Sequence, residues 1–150
     1  MRVLRLLTAR LLATTAVATV ALVGVTAGPA QAVRSQNIPV YSANNPAITL
    51  GSGRWLSERG AYSNGEISVE DRFDDGANGI ILELSKRTGS AWSRVNLVSV
   101  RGVNKSNYVD VKPIYNGGPT VGQQLQIKVC KLLPNGDWKD CQIRIDHNYP

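Results

Sequence analysis

The chain has 150 residues with a formal net charge of +6, and 43% of them are hydrophobic, 6% aromatic and 19% charged; it holds two cysteines and one histidine. That length and balance predict one folded domain, and they exclude a large multidomain enzyme, a disordered polyelectrolyte and a strongly basic nucleic-acid packer. A single histidine also excludes a metal site with two imidazole ligands.

Arg2, Arg5 and Arg10 precede an uncharged stretch from Leu11 to Ala32, rich in Ala, Val, Leu and Thr and broken at Gly28-Pro29 before Ala30-Gln31-Ala32. A charged region, an apolar region and an A-x-A site in that order predict a secretion signal over residues 1–32, cleaved after Ala32. The length alone would allow an uncleaved membrane anchor, but the many Ala and Thr residues, the Gly-Pro break and the small residues at the cut favour cleavage. Every acidic residue lies downstream, so residues 33–150 keep 14 of the 17 basic residues against 11 acids, a net +3. Half of the headline charge belongs to the leader. A single domain of that length buries roughly two thirds of its unfolded surface, enough for one core. Export implies an oxidising space, in which Cys130 and Cys141 are expected to form a disulfide.

Residues 33–65 are rich in Asn, Ser, Gly and Pro, with short apolar runs at Ile38 to Tyr41 and Ala47 to Leu50, and read as a loop-rich arm with one or two short edge strands. Gly51-Ser52-Gly53 reads as a turn, because no helix follows to make it a phosphate loop. The core is expected over 66–150. Ile67, Val69 and Phe73 alternate with polar residues, a turn-rich run follows from Asp74 to Gly79, and Ile80, Leu82 and Leu84 then share a face. This pattern predicts a hairpin. Further strands are expected over about 91–100, 108–114, 123–133 and 138–146, with no helical periodicity between them. Short strands at regular spacing predict an all-β fold, a small antiparallel sandwich or barrel of about six to eight strands with one disulfide.

The last hairpin sets its turn against its core. A two-residue Asn135-Gly136 turn pairs Cys130 with Cys141 but puts Leu125, Ile127 and Val129 across from polar residues such as Arg144 and Gln142. A type I turn centred on Pro134-Asn135, with Gly136 left-handed, instead faces Leu125, Ile127 and Val129 to Ile145, Ile143 and Cys141. A one-residue bulge near Cys130 or Cys141 reconciles sulfurs and core by reversing side-chain parity. The bridge closes a loop of about a dozen residues and contributes about 3 kcal/mol in the chain-entropy picture.

Candidate chemistry is sparse. Asp71, Asp74 and Asp75 form an acidic run that raises calcium as a cofactor, but with Asp71 as first ligand Phe73 falls where an oxygen is needed and Leu82 where a bidentate Glu belongs. The turn reading is preferred, and no cofactor is expected. His147 lies three residues before the C-terminal residue in a segment expected to fray, a poor place for a general base. Glu66, Glu70, Asp71 and Glu83 would make a glycosidase pair only if two of them met across a cleft. Arg101, Lys105 and Lys112 form the densest basic cluster, a contact for anionic wall polymer or a membrane surface. Trp92 shares strand parity with Arg94 and Asn96, and Trp138 with Asp140, Gln142 and Arg144, which places two indoles on polar faces where they can stack on a sugar or anchor a protein. Trp55 and Tyr115, in Gly-flanked segments, are candidates to extend that surface.

The strand with Asp71-x-x-x-Asp75-Gly76 before Ile80-Ile81-Leu82, with Val129-Cys130 and the later Cys141, resembles small secreted single-disulfide proteins of actinobacteria over residues 66–141. The resemblance implies export and β-architecture and carries over no site. The expectation is thus a secreted, extracellular, non-enzymatic domain that recognises a cell-envelope glycan or an extracellular protein, with no nucleic-acid partner and no membrane anchor after cleavage. Two alternatives belong to other classes: an inhibitor of extracellular hydrolases that presents Leu132-Leu133-Pro134-Asn135, and a small carboxylate-dependent hydrolase.

Overall fold

The computed structural model describes residues 34–57 and 64–148, so the leader and its cleavage site lie outside the described residues. These residues form strands β1 (Arg34–Ser42), β2 (Asn45–Ser57), β3 (Glu66–Asp71), β4 (Gly79–Thr88), β5 (Ala91–Arg101), β6 (Lys105–Asp110), β7 (Gln124–Leu132) and β8 (Trp138–His147). A short 3-10 turn, Ile114–Asn116, interrupts the loop between β6 and β7. Sheet A has the order β1-β2-β3-β6 and sheet B the order β5-β4-β7-β8, every pairing antiparallel. The expected all-β sandwich with one disulfide is therefore present, with eight strands among the described residues.

Two expectations about its first half are corrected. The segment read as a loop-rich arm is a long hairpin, and β2 is an interior strand paired on both sides, to β1 and to β3. Gly51-Ser52-Gly53 lies inside β2 rather than at a turn. Its glycines are there because the opposite sheet comes close: a Cβ on Gly53 would stand 2.6 Å from Val129 Cγ2 and 2.8 Å from Leu82 Cδ1, and one on Gly51 2.5 Å from Ile80 Cγ1. Composition disguised the strand, since glycine is ordinarily unfavourable in one and appears where another element approaches closely. The second correction concerns β3 and β4, which belong to different sheets and form no hairpin. Residues 72–78 instead carry the chain across the sandwich. Arg72 and Phe73 donate their backbone N–H to Leu50 O, and Lys131 Nζ pairs with Asp75 at 2.5 Å.

Alternation sends Ile38, Val40, Trp55, Ile67 and Val69 inward from sheet A against Ile80, Leu82, Leu84, Val95, Val98, Leu125, Ile127 and Val129 of sheet B. Period-two patterning with one buried face fixes these registers, because a slip of one residue would turn each apolar set outward. Trp55 is fully buried in this core, which removes it from the candidate binding surface. Its Nε1 has no hydrogen-bond partner among the described residues, so packing alone holds the indole.

Side-chain amides bridge the seams between the sheets. Asn96 on β5 accepts the Lys112 N–H at 3.0 Å and donates to Asp110 O at 3.2 Å, and Asn107 on β6 donates to Ser99 O at 3.0 Å. At the other seam Gln36 on β1 donates to Asp146 on β8 at 3.1 Å. His147 and Asn148 are not frayed as expected: His147 pairs with Gln124, and the buried Asn148 donates its side-chain amide to Pro119 O and Thr120 O, both at 3.1 Å.

The bulge expected in the last hairpin is present. Gly136 has φ 92° and donates to Leu133 O at 2.9 Å, as the type I turn with a left-handed glycine requires. Lys131 then faces Lys139, but Val129 faces Gln142, so Cys130 stands opposite both Asp140 and Cys141, with Asp140 at φ 52°. Cys130 and Cys141 are bridged across this point. Beyond it the result differs from expectation: Leu125 and Ile127 face Asp146 and Arg144, while Ile143 and Ile145 point outward, 47% and 48% exposed. The apolar partners of β7 lie on sheet A instead, because β8 is an edge strand whose inner face ends at the seam.

Replacing Gly53 with Ala forces a methyl group against Val129 and Leu82 and should cost about 2 kcal/mol, typical of overpacking. Urea denaturation of Gly53→Ala, Val129→Ala and the double variant should give a double-variant cost below the sum of the two singles, since shortening Val129 opens the space.

Candidate functional site

The outer face of sheet A carries a shallow grid of polar side chains. Cross-strand pairing sets Asn37, Arg54, Ser68 and Tyr108 in one row, Pro39, Ser52, Glu70 and Ser106 in the next, and Ser35, Leu56, Glu66 and Asp110 on the other side. Rows stand about 7 Å apart and strands about 4.8 Å apart. Serines at 35, 52, 68 and 106 keep the floor low, while Arg54, Glu66, Glu70, Arg72 and Tyr108 rise from it. The result is an open groove of about 640 Å³.

Within the groove Arg54 Nε donates to Ser35 Oγ at 3.0 Å, which orients the guanidinium along the floor. Arg72 donates to Glu70 at 2.7 Å, and this pair raises the Arg72 pKa by hydrogen bonding and charge. Tyr108, 66% exposed, supplies an aromatic face at the β6 rim. Two cations, Arg54 and Arg72, balance two carboxylates, Glu66 and Glu70, so the trough is rich in donors and acceptors with no net charge among these four.

The residues singled out from sequence are scattered. Trp92 and Trp138 both lie on the outer face of sheet B, half-buried, but on β5 and β8 at opposite corners, about 30 Å apart by strand geometry. They cannot form one platform. Arg87 stands over the Trp92 ring at 5.3 Å and Lys128 over Trp138 at 5.2 Å, so cations already cover an indole face in each case. Arg94 shares the face of Trp92 and pairs with Glu83 at 3.6 Å. Asn96 does not share that face, because a bulge at Val95 reverses parity and brings Leu97 outward instead. The β8 bulge likewise separates Trp138 from Gln142 and Arg144. Tyr115, 82% exposed, stands on the 3-10 turn away from both tryptophans' strands.

The remaining candidates also separate. Among Asp71, Asp74 and Asp75, Asp71 is buried and accepts the Gly102 N–H at 3.0 Å, while Asp75 is held by Lys131. No group of three metal-capable side chains occurs among the described residues. Arg101 anchors two loops by donating to Ala77 O at 2.5 Å and Leu133 O at 2.8 Å; Lys105 is the first residue of β6 and Lys112 lies beyond its other end, so the three make no cluster. Of the four acids, Glu66 and Glu70 share the sheet A groove, but four residues along one strand puts their Cα atoms about 13 Å apart, wider than the carboxylate spacing of glycosidases. Leu133 to Asp137 close a tight turn, with Leu133 N donating to Asp137 O at 2.8 Å, a shape unlike the extended segment that a protease cleft takes.

The groove is hidden in the sequence because Ser52-Gly53-Arg54 lies within the loop-like composition of residues 33–65, and because β6 runs over Lys105–Asp110 rather than the expected 108–114, which puts Tyr108 in its outward register. The period-two pattern Ser106, Tyr108, Asp110 was the available signal. Compared with family models, with curated proteins and with solved structures, the chain matches none.

Burial raises the Asp71 carboxyl above its usual 3.8, with help from the charges of Asp75 and Asp74 and against N–H donation from Gly102 and Phe73. The folded state therefore holds this proton more tightly than the unfolded chain, so the group favours folding below pH 3.8 and opposes it as pH rises through the raised value. Asp71→Asn should melt higher than the parent at pH 7. Thermal scans across pH should show the difference vanishing as pH falls to about 3.8.

Proposed function

We propose that the protein is a secreted, non-catalytic recognition domain whose sheet A groove binds a glycan of the cell envelope. The single observation that carries this reading is the composition of the groove: hydroxyls, amides, a guanidinium oriented by Ser35, charge-balanced carboxylates and one exposed tyrosine ring. A polyhydroxylated chain offers alternating donors and acceptors and an apolar ring face, which these groups complement through direct and water-bridged bonds and through stacking on Tyr108. An anionic polymer would favour an uncompensated basic surface, which the charge-balanced set of Arg54, Arg72, Glu66 and Glu70 does not supply. The open ends of the groove suit an extended chain rather than an enclosed small molecule. The ordered leader pattern and the Cys130–Cys141 bridge support export into an oxidising space.

Purified protein should be retained by insoluble cell-wall polysaccharide in a pull-down, and retention should persist at about 1 M salt because stacking and neutral hydrogen bonds are little screened. Arg54→Ala and Tyr108→Ala should each weaken retention roughly tenfold or more with unchanged melting temperature. Trp92→Ala and Trp138→Ala should leave it unchanged. Retention lost in the tryptophan variants but kept in the groove variants would move the site to sheet B, and sugar release abolished by Glu66→Gln or Glu70→Gln would replace binding with hydrolysis.

A further inference from the structure

The outer face of sheet B is chemically unlike that of sheet A. Leu97, Ile143 and Ile145 are 41%, 47% and 48% exposed on it, and Ile81, Leu132, Trp138 and the disulfide form a second apolar cluster beside them. Cross-strand pairing orders the middle of this face as Leu97 on β5, Glu83 on β4, Lys128 on β7 and Ile143 on β8. Read across the sheet, that row is apolar, acidic, basic, apolar. It is its own complement. A two-fold axis running along the strands, midway between β4 and β7, lays Glu83 of one copy on Lys128 of the other and Leu97 on Ile143, twice over.

Neighbouring rows obey the same operation. Ser99, Ile81, Cys130 and Cys141 form the row on one side, where Ile81 and Cys130 are already covered within one copy and Ser99 meets the half-buried Cys141 of the second copy; on the other side Ser85 is likewise covered and the Arg94 stem meets Ile145. No like charges come together in these three rows. Among the described residues the central charges make only long contacts, Glu83 to Arg94 at 3.6 Å and to Ser85 at 3.4 Å, and Lys128 only to the Trp138 ring. Each is thus available to a better partner. Four strands at about 4.8 Å spacing and about nine residues at 3.3 Å give a face on the order of 600 Å² per copy, about 1,200 Å² for the pair, which reaches the range of specific interfaces.

From this self-complementary pattern we infer that the protein forms a symmetric dimer through the outer face of sheet B. The sheets then pack face to face, as the two sheets of a sandwich do. Both sheet A grooves are left on the outside, directed away from each other, so a dimer can engage two ligand chains at once and gain in retention without any new contact at either groove. The dimer itself does not depend on what the grooves bind.

The test is sedimentation of the protein released by a secreting host that expresses the full 150-residue chain, over a concentration series and without glycan. The expected result is a monomer–dimer equilibrium in which Ile143→Arg shifts the protein to monomer. Glu83→Lys and Lys128→Glu should each weaken dimerisation roughly tenfold or more, and the double exchange should restore it, since the row remains its own complement. Circular dichroism and melting temperature identify any variant that fails to fold, and the restored double variant separates interface loss from misfolding. A protein that stays monomeric throughout, a dimer indifferent to Ile143→Arg, or charge exchanges that do not compensate would each overturn the inference. Arg54→Ala should leave sedimentation unchanged, which keeps failure of the dimer distinct from failure of the groove reading.

Discussion

The extra residue on β8 opposite Cys130 governs more of the molecule than any other local feature. Near the turn, β7 and β8 run in the register that the left-handed Gly136 imposes; past Asp140 they run one residue out from it. That single step sets the parity of everything downstream. It brings the two sulfurs together on the outer face, turns Asp146 inward to receive Gln36 from the other sheet, and turns Ile143 and Ile145 outward. The disulfide in turn ties down the bulge, since the cross-link spans the place where the ladder is broken. Without the bulge, β8 would present isoleucines where the seam needs polar partners.

A second constraint acts through the middle of the sandwich. Gly51 and Gly53 let Ile80, Leu82 and Val129 press onto the backbone of β2. Dense contact there is gained without large side chains from β2, and the glycines alternate with residues that point the other way, Ser52 and Arg54. The same stretch therefore serves both faces: its bare positions admit the core, and its outward positions form the floor and centre of the groove. Changing the glycines would be felt on the outside as well, because Ser52 and Arg54 follow the path of the backbone.

Much of the second half of this fold is legible in the sequence and much of the first half is not, for reasons that can be assigned. Strands β5, β7 and β8 carry clear alternation or long apolar runs, and the Pro134-Asn135-Gly136 turn announces its geometry. β2 is rich in small residues, so the signal that marks a buried strand is supplied by its neighbours rather than by itself. The β3–β4 arch looks like a hairpin because a turn-rich run between two alternating strands is the same string whether the chain reverses within a sheet or crosses to another. The candidate site was harder still, since a groove on a sheet face draws on four strands whose order the sequence does not state. Tryptophans drew attention by their rarity, whereas serines and one tyrosine at a matching register make the surface.

Asn96, Asn107 and Gln36 occupy the places where each sheet would otherwise end in an open row of backbone donors and acceptors. β5 and β6 at one side and β1 and β8 at the other are the terminal strands of their sheets, and the amides stitch them across to one another. An exposed terminal strand is a template on which further chains can add without limit, which is how sheets become fibres. Here the terminal strands are tied across the seams at these points, which obstructs that direction of growth. What remains open are the broad faces, where side chains rather than backbone decide what may stick, and where a two-fold arrangement uses up its own surface and stops at a finite particle. A concentrated solution of this protein should accordingly stay clear where a sandwich with bare edges would gel.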